Sequence, residues 1–306
     1  MLILKLYRLF LRVLRPNSGL TKLSFNPLIN KLFSGKPSRM SATMIDGTPI
    51  EIDHTDYHGR ILWLFGTNDW KVSRTVNALL EQGDVMLDIG ANYGTIGFIA
   101  RHKVGLKGQV HLFEPQPFLI ERLERTLALI SAKNVAIHRV ALFDEDGEMN
   151  LSLSSGHSGL ATLVGTVGAS ANQQFDTISV PVFKTETYVH NLVAGRSFGV
   201  KIDIDGAEPH VLPGLITFQG LKFVVFEGDR NKRELFDMFS DNGFVIFGLC
   251  RTLMFPRVRA LNSFADWEKF HDFVAIRASC ADATRSVRLS ELKRCIKNSG
   301  QSDYSD

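Results

Sequence analysis

Apolar segments alternate with segments of helical periodicity over most of the chain, and this alternation limits the fold more than any other feature. Strands are predicted at 85–89, 108–113, 135–142, 199–204, 222–227, 243–249 and 272–277. Helices are predicted between most of them, at 94–103, 116–131, 206–218 and 230–241. Such an order predicts an α/β fold, in which helices cover both faces of a mostly parallel sheet.

The segments outside this alternation are less regular. MIDGTPIEID at 44–53 and GRILWLF at 59–65 are predicted as two short strands of a hairpin, and VSRTVNALLEQG at 72–83 as a helix. Residues 144–155 predict a turn and a strand, and the Gly- and Ser-rich stretch 156–174 predicts a long loop. Loops of that length inside a compact domain are usually functional.

The amino-terminal segment LILKLYRLFLRVLR predicts a basic amphipathic helix. Its basic residues, Lys5, Arg8, Arg12 and Arg15, fall within an arc of roughly 80°, and the others are apolar. The segment is too short for a membrane span and lacks the unbroken apolar run of a secretory signal. Two interpretations stay open: peripheral contact with an anionic membrane, or docking on the protein's own core or on a second subunit.

Three parts are predicted along the chain. Residues 1–44 form a basic arm and linker, 45–280 the main domain, and 281–306 a tail. The net charge of +3 does not indicate a nucleic-acid partner. Three widely spaced cysteines without a CxxC pair favour a reducing compartment over a disulfide or zinc framework, so a cytoplasmic location is expected, with the inner membrane face as the site of any membrane contact.

The first strand of the alternation ends at Asp88 and is followed by Gly90, Gly94 and Gly97. Glycines at the carboxyl end of a strand let the chain turn tightly against a ligand. The spacing lacks the second glycine of the dinucleotide fingerprint. A carboxylate beside the turn suits an ammonium or hydroxyl group better than phosphates. The turn therefore predicts a site for a positively charged nucleoside.

The second strand ends at Glu114, about two dozen residues after the glycines. An acid at this place accepts hydrogen bonds from ribose hydroxyls in nucleotide-binding sheets. The other interpretation is that Glu114 caps the following helix. The glycine turn and Asp88 nearby favour the ribose role.

Several blocks of the chain, in this order, resemble the FkbM family of S-adenosylmethionine-dependent methyltransferases. The blocks are DIGANYG, HLFEP, VALFDEDGE at 140–148, VKIDIDGAEPHVLPG at 200–214 and FVVFEGD at 223–229, with FGTNDW at 65–70 similar to the lead-in. The resemblance covers about 60–230. It implies S-adenosyl-L-methionine as cofactor and a Rossmann-like, seven-stranded class I methyltransferase sheet whose last strand is antiparallel.

The resemblance also implies cofactor-binding residues. The turn residues Asp88, Gly90, Ala91, Asn92 and Gly94 would hold the methionine part. Glu114 would hold the ribose, and Ala141 and Leu142 would flank the adenine. Asparagine is the family's usual residue at position 92; it tolerates left-handed backbone and adds an amide for the ligand.

The densest acidic block of the sequence is KIDIDGAE. Lys201, Asp203 and Asp205 share one face of the predicted strand, and Glu208 lies near the start of the next helix. Asp205 stands where the family motif has glutamate. Asp203, Asp205 and Glu208 are either possible metal ligands or, for the last two, a turn and a helix cap.

Methyl transfer to a hydroxyl requires a group that orients the acceptor oxygen and takes its proton. Asp203 is the first candidate, Glu227 the second, and Lys201 belongs to the same set. His157, in the predicted loop, is a weaker candidate. His210 is expected on a helix surface.

The resemblance implies an O-methyltransferase that acts on a sugar, a glycan or glycolipid, or a secondary metabolite. A nucleic-acid methyltransferase is an alternative, but the chain has neither a [DNS]-P-P-[YFW] motif nor a Pro-Cys nucleophile, and no nucleic-acid partner is expected. A cofactor-binding scaffold without activity is a third possibility. The missing glycine disfavours a nicotinamide oxidoreductase.

Overall fold

The structure is a computed structural model that describes residues 2–14, 24–35, 37–153, 157–163, 176–228, 232–250, 257–261 and 263–280. The predicted tail 281–306 and much of the predicted loop 156–174 lie outside the described residues. The helices are α1 Leu2–Leu14, α2 Pro27–Phe33, α3 Tyr57–Phe65, α4 Trp70–Leu79, α5 Thr95–Val104, α6 Pro117–Ile130, α7 Thr185–Val193, α8 Glu208–Ile216 and α9 Lys232–Asp241.

The strands lie in three sheets. They are β1 Arg39–Thr43, β2 Pro49–Asp53, β3 Val85–Ile89, β4 Gln109–Phe113, β5 Val135–His138, β6 Ala141–Phe143, β7 Gly147–Leu153, β8 Thr162–Leu163, β9 Asp176–Lys184, β10 Phe198–Ile202, β11 Leu221–Glu227, β12 Phe244–Cys250, β13 Arg257–Ala260 and β14 Asp272–Arg277. Short 3-10 helices cover Ser158–Leu160 and Phe264–Lys269.

The main sheet confirms the predicted α/β fold. Its strand order is β13-β12-β14-β11-β10-β3-β4-β5. The pairs from β11 to β5 are parallel, while β14 lies antiparallel between β11 and β12. These are the seven strands expected from the sequence. The difference is β13, an additional antiparallel edge strand that pairs with β12.

Helices cover both faces of this sheet because its central strands are apolar on both sides. In β3, Met86 belongs to the core that includes residues of α4 and α5, whereas Leu87 belongs to the opposite core, which includes residues of α7 to α9. All five residues of β3 and of β10 are buried. The carboxyl ends of these two neighbouring strands therefore meet at one edge.

A second sheet, in the order β6-β9-β7-β8, lies in the part of the sequence that interrupts the alternation. The predicted strand 135–142 is two strands: β5 pairs in the main sheet, and β6 pairs with β9 in the second. The strand β9 and the helix α7 were not predicted. Ile178, Val180 and Val182 of β9 alternate with more exposed residues, which is the period of a strand with one buried face.

The predicted strand 59–65 is wrong, because these residues lie in α3. The side chain of Asp56 caps the amino end by accepting from the N–H of Gly59 at 3.0 Å, and Gly66 ends the helix with φ of 77°. The run ILWLF is buried throughout, so it shows no helical alternation. The partner of β2 in the hairpin is β1, in the segment predicted as linker.

The predicted amino-terminal helix is confirmed as α1, and it packs against α3. Leu11 is buried, Arg8 lies over the ring of Trp63 at 4.7 Å, and Arg12 donates to the carbonyl oxygens of Leu64 and Thr43. No helix among the described residues is long and apolar enough to cross a bilayer. The division of the chain at residue 45 stays a prediction.

Candidate active site

A cavity of about 500 Å³ lies at the carboxyl ends of β3, β4, β10 and β11. Its volume is in the range of small-molecule sites. It brings together most of the residues predicted for cofactor binding and catalysis: Gly90, Ala91, Asn92, Glu114, Ala141, Leu142, His157, Lys201, Asp203, Asp205 and Glu227. Of the remaining predicted residues, Asp88, Gly94, Glu208 and His210 are described but do not line it.

The turn between β3 and α5 forms one wall of the cavity. Gly90, Asn92 and Gly94 have left-handed backbone, with φ of 71°, 53° and 73°. A Cβ added at Gly90 would lie 2.1 Å from the carbonyl oxygen of Asp203, so only glycine allows this approach. The left-handed backbone expected at Asn92 is confirmed.

Asp88 supports this turn from beneath. Its side chain is fully buried, and Oδ2 accepts a hydrogen bond from the N–H of Gly97 at 2.9 Å. Oδ1 lies 3.4 Å from the Nζ of Lys201. Burial raises the pKa of Asp88, while the ammonium of Lys201 acts in the opposite direction. Asp88 therefore ties the start of α5 to β10.

Glu114 lies directly after β4 and is buried, with a carboxylate that faces both the cavity and the backbone. Its Oε2 accepts from the N–H of Asn92 at 2.8 Å, and its Oε1 accepts from the N–H of Gln116 at 3.0 Å. Gln116 precedes α6, so Glu114 has part of the capping role considered above. Burial raises the pKa of Glu114 to about 7.

Lys201 links the turn to the acidic end of β10. Its buried ammonium donates to the carbonyl oxygen of Gly90 at 2.6 Å and lies 3.7 Å from Oδ2 of Asp203. Burial alone would lower the pKa of Lys201, but Asp88 and Asp203 raise it above its ordinary value. The side chain of Asp203 is 51% exposed, so its carboxylate is accessible from the cavity.

The next two acids of the block are arranged around a turn. Asp205 has φ of 52°. Glu208 is buried, and its two carboxylate oxygens accept from the N–H groups of Ile204 at 3.2 Å and Gly206 at 2.9 Å. Glu208 thus has a structural role, in the turn that precedes α8, and its oxygens accept from N–H groups ahead of the helix, not within it. Among the described residues, no group of three or more His, Cys, Asp or Glu side chains has the geometry of a metal site.

Glu227 ends β11 and faces a second group of charged residues that the sequence analysis missed. Asp272 lies opposite it in the antiparallel pair with β14. The buried Nζ of Lys71 lies 2.5 Å from Oδ2 of Asp272 and 3.0 Å from Oδ2 of Asp69. Asp69 lies within the FGTNDW segment and Lys71 follows it, and the resemblance of this segment to the family was the available signal.

His157 closes another side of the cavity. Its ring stacks on Tyr57, with centroids 4.4 Å apart, and meets His58 edge-on at 5.1 Å. Burial lowers the pKa of His157, and it lowers that of His58 to about 4. Both imidazoles are therefore neutral at physiological pH. Tyr57 and His58, on α3, are further lining residues that the sequence analysis missed.

Ser158 holds this segment onto the rest of the site. Its N–H donates to Oδ1 of Asp56 at 2.7 Å, and its carbonyl oxygen accepts from Nε2 of Gln116 at 3.1 Å. The amide of Asn92, expected to face the ligand, donates to Oγ of Ser158 at 3.1 Å. Ser158 thus connects the segment 157–163 to the capping residue of α3 and to the turns that follow β3 and β4.

His210 confirms the expectation of a helix-surface histidine. Its Nδ1 lies 2.6 Å from Oδ2 of Asp144, and its ring stacks on Phe143. Its side chain is 41% exposed. These contacts join α8 to the second sheet, outside the cavity.

Family models and solved structures show what the chain is similar to. The family model described as "Methyltransferase FkbM domain" matches residues 88–270, which is more than half of the chain. No curated protein matches the chain significantly.

Solved structures with a similar fold include methyltransferase FkbM from Methylobacillus flagellatus KT, at 13% identity and a TM-score of 0.42, covering 65% of this chain and 44% of that one. A SAM-dependent O-methyltransferase from Thermotoga maritima has 13% identity and a TM-score of 0.41, with 81% of each chain covered. TYW2 from M. jannaschii, solved in complex with AdoMet, has 12% identity and a TM-score of 0.41, and the match covers 79% of this chain and 86% of that one.

Proposed function

We propose, from the premise that the chain belongs to the FkbM family of S-adenosylmethionine-dependent methyltransferases, that it methylates a hydroxyl of a sugar, a glycan or glycolipid, or a secondary metabolite. One observation carries the proposal. A single cavity joins the left-handed turn after β3 and the carboxylate of Glu114 to the acidic side chains of Asp203 and Glu227. A cofactor wall and a proton-accepting wall thus face the same space.

The residues present fit the cofactor. The turn exposes Gly90, Ala91 and Asn92 to the cavity, which suits close contact with the methionine part. Glu114 would accept from the ribose hydroxyls, and Ala141 and Leu142 would flank the adenine. Asp88 and Gly94, which do not line the cavity, would act by shaping the turn. S-adenosylmethionine supplies an electrophilic methyl group when it is bound.

The acceptor hydroxyl would donate to a carboxylate of the opposite wall. Asp203 is our first choice because its half-exposed side chain lines the cavity next to the turn. Lys201 positions Asp203 through their ion pair. Glu227 is the second choice, and neutral His157 is available on the remaining side.

Replacing Asp203 with asparagine is expected to lower kcat by about 100-fold or more, the usual effect of losing a general base. Affinity for S-adenosylhomocysteine should change only a few-fold, because the substitution keeps the shape of the side chain. Steady-state kinetics with the identified acceptor and calorimetric titration separate the two effects. Asp144→Asn, in a half-exposed ion pair outside the cavity, is the matched control. An unchanged kcat in Asp203→Asn would transfer the role to Glu227 or His157.

Cofactor affinity is expected to rise with pH through the pKa of Glu114. The folded-state pKa, about 7, lies above the ordinary value of 4.5, so part of the apo protein carries a protonated Glu114 at neutral pH. Ribose hydroxyls donate to the carboxylate, so binding favours the ionised form and releases a proton. Affinity should therefore increase between about pH 6 and about pH 8 and then level off.

Calorimetric titration with S-adenosylhomocysteine in buffers of different ionisation enthalpy measures this proton release. Glu114→Gln should bind about 10- to 100-fold more weakly, as expected for lost hydrogen bonds to a charged group, and without the pH dependence. A pH profile that is the same in Glu114→Gln and in the native protein would contradict the assignment.

The acceptor class is tested by methyl transfer from radiolabelled S-adenosylmethionine to a panel of sugars, glycolipids and transfer RNA. We expect label on a sugar or lipid-linked sugar, as an ether that resists mild base. Label on the RNA would instead establish the nucleic-acid alternative. Tight cofactor binding with no transfer to any acceptor, and no change on neutralising Asp203 and Glu227 except in stability, would favour the non-catalytic scaffold.

A further inference from the structure

The helix α1 has an outer face that no described residue covers. Leu6, Leu9 and Phe10 are 57%, 61% and 58% exposed. At 100° per residue these three side chains lie within one third of the helix circumference. Exposed apolar side chains are ordinary when they are scattered, but three on one helix face form a patch. We call Leu6, Leu9 and Phe10 the outer face of α1.

The opposite side of α1 is attached to the protein through its basic residues. Arg12 donates to the last turn of α3 at Leu64 and to the end of β1 at Thr43, and Arg8 lies over Trp63. Burial lowers the pKa of Arg8, and it lowers that of Arg12 to about 10. Desolvating two guanidinium groups is unfavourable. The docked side of α1 thus combines the core residue Leu11 with two guanidinium groups, while Leu6, Leu9 and Phe10 stay uncovered.

The charge of the amino-terminal segment limits what can cover the outer face of α1. Residues 1–45 contain eight basic residues and no acidic residue. Leu28, on the neighbouring helix α2, is 60% exposed, and Lys31 of the same helix is exposed as well. An isologous contact with a second copy would bring two such positive segments together. An anionic lipid surface instead offers an apolar layer for the exposed leucine and phenylalanine side chains and negative charge for the basic segment.

We propose that the outer face of α1 inserts into the interface of an anionic membrane. The apolar side chains would enter the boundary between headgroups and acyl chains, while basic residues of 1–45 other than Arg8 and Arg12, among them the exposed Lys31, attract the acidic headgroups. The interaction keeps Arg8 and Arg12 in their present contacts, so the helix binds lipid as part of the folded protein. The proposal does not depend on the identity of the methyl acceptor.

The test is co-sedimentation of the full purified chain with vesicles. Vesicles of phosphatidylcholine mixed with phosphatidylglycerol are expected to bind the chain, and vesicles of phosphatidylcholine alone to bind it more weakly. Replacing Leu9 and Phe10 with serine should lower binding to the mixed vesicles by at least about tenfold, because burying even one such side chain is worth that much. Leu106→Ser, at an 89% exposed leucine outside the arm, is the matched control and should bind like the native chain.

Calorimetric titration with S-adenosylhomocysteine confirms that each variant is folded. Failure of the native chain to bind mixed vesicles overturns the proposal, and so does equal binding by the Leu9→Ser, Phe10→Ser variant. Light scattering supplies a further decisive reading. A native dimer that becomes monomeric in this variant would make the outer face a subunit interface and would also overturn the membrane assignment.

Discussion

Replacing Gly90 with alanine is expected to lower the free energy of unfolding by about 2–5 kcal/mol and to weaken cofactor binding by more than about 100-fold. The added Cβ would lie 2.1 Å from the carbonyl oxygen of Asp203, and neither backbone group can rotate away. Relief requires the ends of β3 and β10 to separate. Separation would strain two backbone hydrogen bonds, which the N–H of Gly90 donates to the carbonyl oxygen of Phe113 and the N–H of Asp203 donates to that of Ile89.

Gly83→Ala is the matched control for Gly90→Ala. Gly83 also has positive φ, 89°, but a Cβ there meets no atom within 4 Å. Its substitution should therefore cost only the backbone strain, about 1–2 kcal/mol, and leave cofactor binding intact. Urea unfolding and titration with S-adenosylhomocysteine measure both effects. If the two variants behave alike, the close approach between the turn and β10 is not what requires glycine at position 90.

The sequence predicted the main sheet well because its central strands are buried on both faces. Such strands are continuous apolar runs, and VMLDI is an example in which every residue is buried. The turn after it was equally predictable, since three of the five residues 90–94 adopt left-handed backbone and two of these three are glycine. Local chemistry is sufficient to specify these features.

The errors arose where tertiary contacts decide the structure. The run ILWLF at 61–65 packs against the hairpin, α1 and the core, so it is buried on every side and shows no 3.6-residue period. The capping residues Asp56 and Gly66 were the signals that distinguish it from a strand. The strand β9 was missed because it follows a long Gly- and Ser-rich stretch.

Only those residues of the candidate site that lie in recognisable sequence motifs were predictable. Glu114 follows β4 and Asp203 follows β10, the two strands on either side of β3, so their presence at one edge of the sheet follows from the fold. Lys71 and Asp272 lie about two hundred residues apart in the sequence, and their contact depends on how α4 packs against β14. No spacing in a single sequence encodes that pair.

Lys201 is the residue on which the charges of the site depend most. Its ammonium is buried and lies 2.6 Å from the carbonyl oxygen of Gly90 and 3.4 Å from Oδ1 of Asp88. Asp88 is fully buried, and the ammonium of Lys201 is the positive charge that lies against it. Removing the ammonium would thus leave a buried, uncompensated carboxylate.

Replacing Lys201 with methionine is expected to cost about 3–5 kcal/mol of unfolding free energy at neutral pH, the usual effect of breaking a buried ion pair from one side. Cofactor affinity should fall as well, because the carbonyl of Gly90 loses its donor. Lys232→Met is the control. Lys232 pairs with Glu268, a carboxylate 65% exposed, and such surface pairs contribute about 0–1 kcal/mol.

The stability deficit of Lys201→Met should depend on pH in a definite direction. Without Lys201, burial raises the pKa of Asp88 further above its ordinary value, so the folded state binds a proton that the unfolded state releases. Stability from such a group is present at low pH and is lost as pH rises through the window between the two pKa values. The deficit should therefore shrink on acidification toward about pH 5, relative to about pH 8.

Urea unfolding of both proteins across this range measures the difference directly. Adding Asp88→Asn to Lys201→Met should recover part of the lost stability and remove the pH dependence, because the neutral amide still accepts from the N–H of Gly97. A deficit that stays constant with pH, or that Asp88→Asn deepens, would mean that packing of the lysine stem and not the charge of Asp88 determines the loss.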